Sequence, residues 1–353
     1  MTKPTLPQID SDYMVDFLAK LLATPSPTGF AHKAIELVEE EIRKYPEVKI
    51  EHTKKGALLL TLPAANSQGE GAKRGLTAHV DTLGAMVRQI KASGRLELSP
   101  VGGYAWGSIE GENCLIHSQK SGTFRGTLLP HEASVHVYSG VRDGKRDNHS
   151  MEVRIDEKVR NAEETKKLGI QVGDFVSFDS RVELVNGFVK SRHLDDKACV
   201  ANIVAAIKAL HDANLKPAVD TVFLITNYEE VGHGGSSDLP ESLEELVAMD
   251  MAAIGDGQAS DEYHSTICVK DGGGPYHHGL SNKLRDLAEA YQIPAIVDIY
   301  VNYSSDGTAY WRAGGDAAVA LIGPGVDSSH HYERTHTDAL NDTTNWLLAY
   351  LLN

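Results

Sequence analysis

Cysteine is scarce. The 353 residues hold three, Cys114, Cys199 and Cys268, far apart and without a C-x-x-C pair. That excludes a disulfide framework and a thiolate zinc finger, and it fits a reducing compartment. Positive charge is in deficit too: 34 Lys and Arg stand against 49 Asp and Glu, a formal net charge of −15. Nonspecific grip on nucleic acid or an anionic membrane needs a basic footprint, which this chain lacks. No apolar run approaches the roughly 18 residues of a membrane span. Met1 to Asp12 is polar, carries two prolines and lacks the apolar core of a signal peptide. The expectation is a soluble cytoplasmic protein. Several catalytic signatures are missing as well: there is no G-x-S-x-G elbow, no H-E-x-x-H, no phosphate-binding G-x-x-x-x-G-K-[ST] and no EF-hand loop. Gly255 to Ser260 only brushes against a dinucleotide fingerprint.

What is present reads as two textures. Near the start, Met14, Val15, Phe17, Leu18, Leu21 and Leu22 recur at helical spacing, with Ser11 as the expected cap. Pro25 to Gly29 breaks that helix. A second helix carries Ala34, Ile35, Leu37, Val38 and Ile42. Short β-like runs follow at Ala57 to Leu62 and Gly75 to Ala78, around a polar turn at Asn66 to Lys73. From Val87 to Lys190, glycines divide short alternating runs (Arg95–Leu98, Cys114–Ile116, Gly126–Leu129, Val135–Val137, Phe175–Phe178), which predicts a small all-β unit. One charged stretch in it, Asp156 to Leu168, is expected as a helix. After Arg192 the α/β rhythm returns: a buried helix from Ala198 to Leu210, fully apolar strands at Thr221–Thr226, Leu246–Met249 and Ala317–Ile322, and a closing helix from Thr343 to Leu352. The expected layout is an α/β domain, residues 1–86 and 191–353, interrupted by an all-β insert, residues 87–190.

Chemistry-bearing residues sit directly after the expected buried strands, where open α/β sheets assemble their sites. Ala78-His79-Val80-Asp81 offers an imidazole with a carboxylate to support it, although a surface histidine near an acidic turn looks the same. In His193-Leu194-Asp195-Asp196-Lys197, adjacent aspartates suit a helix start; alternatively, one bridges two cations while its neighbour holds the turn. Glu229-Glu230 ends the Thr221–Thr226 strand, where two carboxylates repel unless a cation or a proton intervenes. Asp250 ends another strand and is costly to bury unpaired. His330, His331 and His336 follow the last strand and offer a final ligand. Asp271 to Pro275 reads as a turn that can also line the site. This inventory of His, Asp, Glu, Asp and His with a spare Glu suits a two-metal hydrolase. Mixed imidazole and carboxylate donors fit Zn²⁺, Co²⁺ or Mn²⁺. Two such ions, roughly 3.5–4 Å apart, polarise a carbonyl and acidify a water. The unligated Glu would then be general base.

The ordered set His79-Val80-Asp81, Asp195-Asp196-Lys197, Glu229-Glu230-Val231-Gly232, Met249-Asp250 and a late histidine resembles the TET-type deblocking and glutamyl aminopeptidases, metallopeptidase family forty-two of the dizinc exopeptidase clan. Leu168 to Asp174 and Phe178-Asp179 resemble that family's run closing the insert. The resemblance implies a three-layer α/β/α catalytic domain interrupted by a small β-barrel used in oligomerisation. It implies two divalent ions per subunit, zinc before cobalt or manganese. His79 and Asp250 would bind opposite ions, Asp195 would bridge them, and Glu230 would be a further ligand. Glu229 would be the catalytic base and Asp81 the partner of His79. A cis Asp195–Asp196 peptide and a homo-oligomer built from dimers, dodecamers especially, are implied too. The C-terminal motif departs from the family's single His followed by Ser and Pro. His330 is taken as the ligand, ahead of His331 and His336. Asp196-Lys197 replaces the commoner Asp-Arg.

The expected activity is removal of N-terminal residues from short peptides. A deacylase or amidase on the same core is the enzymatic rival, and a non-catalytic assembly module is the rival from another class. Sugar cleavage fits least, because metal-held carboxylates are poor proton donors.

Overall fold

The computed structural model describes residues 3–69 and 71–353. Met1, Thr2 and Glu70 lie outside the described residues, and with them the first two positions of the polar N-terminal stretch and one position of the expected 66–73 turn.

A ten-stranded mixed sheet organises the larger part of the chain. At its centre, Thr221–Thr226, Arg74–His79, Glu245–Met249 and Ala318–Val326 lie side by side and parallel. These four strands are buried along nearly their whole length because both faces are covered. Antiparallel strands extend the sheet on each side: Leu58–Leu62 and Lys49–His52 on one, Ser265–Asp271 on the other. Val247 and Met249 face a helical layer, while Leu246 and Ala248 face a second apolar cluster with Tyr276, Tyr300 and Trp311. The result is a three-layer α/β/α domain.

The helix Leu194–Asp212 is buried along most of its length. It packs on the sheet beneath and on the helices Ser11–Ala23 and Thr337–Leu352 beside it. A helix covered on all sides must be apolar all round, and five buried alanines here (Ala198, Ala201, Ala205, Ala206, Ala209) allow close approach. Its one buried lysine, Lys197, donates from Nζ to the carbonyls of Leu21 (2.9 Å) and Thr24 (2.7 Å). It thereby satisfies the C-terminal end of the first helix, whose dipole favours a cation.

Between Gly84 and Phe178 six strands close into a barrel, in the order Gly84–Ile90, Leu96–Val101, Met151–Ile155, Gly122–Pro130, Asn113–Ser118, Phe175–Phe178. Its interior is filled by alternating residues such as Val87, Leu98, Ile116, Leu128 and Val176. Several local expectations need correction. Val135–Val137 is surface loop, with Val137 70% exposed; the closed barrel leaves it no strand edge to pair with. The expected 156–168 helix shrinks to Ala162–Lys167: Asp156 still donates its N–H to the Arg125 carbonyl at the end of the barrel ladder, and Asn161 caps the helix. The first helix is capped by Asp10, which accepts from Tyr13 N–H, and Ser11 is already helical. The closing helix starts at Thr337, not Thr343. The strand Ser265–Asp271 and the helix His278–Tyr291 were not anticipated, since polar residues interrupt their apolar pattern.

A buried ion pair ties barrel to sheet domain. Arg192 donates from Nε and Nη2 to Glu112 Oε2 (3.0 and 2.9 Å), from Nη2 also to the Ser108 carbonyl, and from Nη1 to the His331 carbonyl at 3.0 Å. Both side chains are less than a tenth exposed. Glu112→Ala leaves the guanidinium without its counter-charge, and the expected loss is about 3–5 kcal/mol of unfolding free energy, read by urea titration. A loss below about 1 kcal/mol, the range of an exposed pair, would show that the pair is not a structural tie.

Candidate active site

Register brings the strand ends together. Thr226 lies opposite His79, and Met249 opposite Ile322, so the residues that follow these strands emerge at one edge. Gly323 permits this closeness: a Cβ there would sit 1.9 Å from the Asp250 carbonyl oxygen. The helix beginning at Leu194 delivers Asp195 to the same edge, and the peptide bond to Asp196 is cis.

His79, Asp195 and Asp250 form a buried group whose donor atoms all lie within 4.8 Å of one another. His79 Nε2 is 3.1 Å from Asp195 Oδ1 and 3.7 Å from Glu229 Oε2. On the other side of Asp195, its Oδ2 lies 3.4 Å from His330 Nε2, which is in turn 3.5 Å from Glu230 Oε2. Asp195 is thus common to two clusters, one with His79 and Asp250, the other with Glu230 and His330. All six sequence-derived residues of this group converge on one cavity of ≈ 630 Å³, with His79 buried beneath it. The other two histidines are engaged elsewhere. His331 accepts from Tyr332 N–H, and its own carbonyl accepts from Arg192. His336 caps the last helix and packs edge-on against Phe188, ring centroids 4.9 Å apart.

The surroundings fix these side chains. His79 Nδ1 meets the backbone carbonyl of Asp81 at 2.9 Å, which assigns a proton to that nitrogen and turns Nε2 toward Asp195. The Asp81 carboxylate, expected as the imidazole's partner, lies 3.7 Å away. It accepts instead from the Glu229 and Glu230 N–H groups (3.2 and 3.3 Å) and the Thr28 hydroxyl. Asp81 therefore holds the turn that presents both glutamates. Asp196 accepts from the His79 N–H at 3.3 Å.

Burial and mutual repulsion govern the charges. Desolvation, then the charge of Asp195, pushes the Asp250 carboxyl up to about 8. Glu229 and Glu230 are raised well above the usual carboxylate range, first by burial and then by neighbouring carboxylates. Burial alone would lower His330, but its contact with Asp195 and the charge of Glu230 lift it to about 10. A pocket that holds four crowded carboxylates and makes its imidazoles basic is one that favours a cation. The donor set, imidazole with carboxylate, fits a borderline divalent ion such as zinc.

Glu333 was not singled out from sequence. It is 2% exposed, on a strand paired with Phe188–Ser191. One carboxylate oxygen accepts from the Asp195 N–H (3.1 Å), the other from the His330 N–H (3.0 Å). A single buried carboxylate thus fixes two residues of the cluster. Three positions after His330 it lay within the histidine-rich run, but nothing in that run marks it as buried. Asp306 was also missed: it accepts from the Thr226 hydroxyl (2.5 Å) and the Gly235 N–H (2.6 Å), bracing the turn beyond Glu230.

A three-layer α/β/α fold with this acidic, histidine-bearing pocket at its strand ends is a hydrolase architecture. The comparisons define it further. A family model described as M42 glutamyl aminopeptidase matches residues 57–346. The chain is 46% identical over 338 residues, 96% of each sequence, to YhfE of Bacillus subtilis (strain 168). It is 25% identical over 299 residues, 81% of each, to a lysyl aminopeptidase of Pyrococcus furiosus. Among solved structures, an aminopeptidase from Desulfurococcus kamchatkensis superposes with a TM-score of 0.85 at 21% identity, covering 97% of this chain and 95% of that one. The TET1 peptidase of Pyrococcus horikoshii, described as assembling into a tetrahedron or a large octahedral shell, gives 0.83 at 22% identity, covering 96% and 99%. The chain belongs to the M42 peptidase family and is a peptide hydrolase.

Glu333 yields the site's own prediction. Glu333→Ala frees Asp195 and His330 to move, and the affinity for added Zn²⁺ is expected to fall about 10- to 100-fold, measured by titration calorimetry on chelator-treated protein. Unchanged affinity would remove Glu333 from the site.

Proposed function

We propose that the protein is a metal-dependent aminopeptidase that removes N-terminal residues from short peptides, working with two divalent ions. The observation that carries this reading is Asp195, shared by two histidine–carboxylate clusters. In that arrangement His79 and Asp250 would hold one ion, Glu230 and His330 would hold the other, and Asp195 would be available to both. Such ions supply Lewis-acid polarisation of the scissile carbonyl and a water acidic enough to attack near neutral pH.

The protein's own residues do the rest. Glu229 stands beside the cluster, with its carboxylate 3.7 Å from His79 and its N–H tied to Asp81. It takes the proton of the attacking water and returns it to the leaving amine. The substrate's free amine is attracted by the surplus of carboxylates, which selects peptide N-termini over internal bonds. Zinc is the favoured metal from its donor set. The dodecamer of PhTET1-12s, whose fold this chain shares with a TM-score of 0.83, supports a homo-oligomer. Among the described residues no helix is long and apolar enough to cross a membrane, consistent with work in the cytoplasm.

Glu229→Gln is expected to keep its metal and lose about 10²- to 10⁴-fold in kcat, measured with aminoacyl anilides on the metal-loaded protein; near-normal turnover would refute the base assignment. His79→Ala and His330→Ala should each bind one ion fewer than the parent by elemental analysis, and an unchanged count for either would remove that histidine from the ligand set. Turnover of N-acyl amino acids in preference to free-amine substrates would favour the deacylase reading instead.

A further inference from the structure

The two halves of the pocket are held by different parts of the molecule. His79 meets the Asp81 carbonyl through Nδ1 at 2.9 Å, and Asp250 donates its N–H to the Ile322 carbonyl at 3.1 Å. Tyr303 braces the turn after Asp250, its hydroxyl donating to the Met251 carbonyl at 2.8 Å. All of these partners belong to the sheet domain.

Glu230 and His330 differ, because both touch the connection that leaves the barrel strand Leu96–Val101. The Gly103 carbonyl accepts from His330 Nδ1, which turns Nε2 toward Asp195 and Glu230 (3.4 and 3.5 Å). Gly102 packs close: a Cβ there would lie 2.5 Å from Leu83 Cδ2 and 3.6 Å from both the Cβ and the carbonyl oxygen of Glu230. Its φ of +79° is a conformation that glycine adopts freely and a side chain resists. Tyr104 ties the connection to the barrel. Its hydroxyl donates to the Gly84 carbonyl (3.0 Å), and its ring meets Phe178 edge-on at 5.4 Å. A second barrel contact reaches the His330 loop through Arg192, which is held by Glu112 and the Ser108 carbonyl and donates to the His331 carbonyl at 3.0 Å.

We propose that the Gly102–Tyr104 connection is a positioning element for one ion only. The barrel seats Glu230 and His330, so the affinity of an ion between them depends on that seating, while the affinity of an ion at His79 and Asp250 does not. The inference rests on the two-ion reading of the site and makes the barrel part of it. Groups that orient metal ligands are worth about 10- to 100-fold in affinity. A group that orients one pair of ligands and not the other changes the ratio of the two binding constants, which a general loss of stability leaves alone.

The test is a stepwise Co²⁺ titration of chelator-treated protein, followed by visible absorption, on the parent, G102A and Y104F. G102A places a methyl against Leu83 and beside Glu230; Y104F keeps the ring and loses the tie to Gly84. One binding constant is expected to fall about 10- to 100-fold in G102A and about fivefold in Y104F, the other staying within twofold of the parent's. In the His330→Ala background, where the site at His79 and Asp250 remains, G102A should change the constant by less than twofold. Two constants that fall together, a ratio within twofold of the parent's in the folded variants, or a G102A effect that persists in the His330→Ala background each overturn the proposal. Thermal midpoints show which variants are folded, and Y104F, which adds no atom, decides alone should G102A misfold. A parent that binds a single ion overturns the two-ion reading, and this proposal falls with it.

Discussion

Crowded negative charge is the constraint on which this molecule is built. Asp195, Glu229, Glu230 and Asp250 meet in one pocket with His79 and His330 between them. In a low-dielectric interior such a set is costly unless cations or protons neutralise it. Protein cations cannot do so directly: Lys197 is turned away toward the end of the first helix, and Arg192 is occupied by Glu112. What the fold supplies instead is a ring of N–H groups and hydroxyls that hold the acids in place. Asp81 organises the glutamate turn, Glu333 organises Asp195 and His330, and Asp306 organises the segment beyond. The positioning residues are themselves acids, which adds to the negative potential that an incoming cation would relieve.

The architecture explains why these residues can be so far apart in sequence. Parallel strands end at a common edge, so each strand contributes one short turn and each turn one or two ligands. The barrel interrupts the chain between two of those contributions without separating them, because the chain leaves after Asp81 and returns before Asp195. It also contributes directly, since His330 Nδ1 pairs with the carbonyl of Gly103, just beyond a barrel strand.

Much of this was legible in the sequence, for a physical reason. Buried parallel strands are continuous apolar runs, and a charged residue at the end of such a run stands out, as His79, Glu229 and Asp250 did. The barrel could be read from glycine-divided alternation, although alternation alone also promoted Val135–Val137, which has no neighbouring edge to pair with. The choice among His330, His331 and His336 was not legible from residue types. It depends on a loop in which His330 adopts φ +63° and on the contact of the next carbonyl with Arg192. Glu333 and Asp306 were hidden because their partners are backbone groups brought near only by tertiary structure.

The proposed reaction requires two cations side by side, one on each side of Asp195. Anomalous diffraction from crystals of the metal-loaded protein, recorded at the zinc and cobalt edges, would locate them. Two adjacent peaks are expected, one against His79 and Asp250, the other against Glu230 and His330. A single peak, or density that bypasses Asp195, would contradict it.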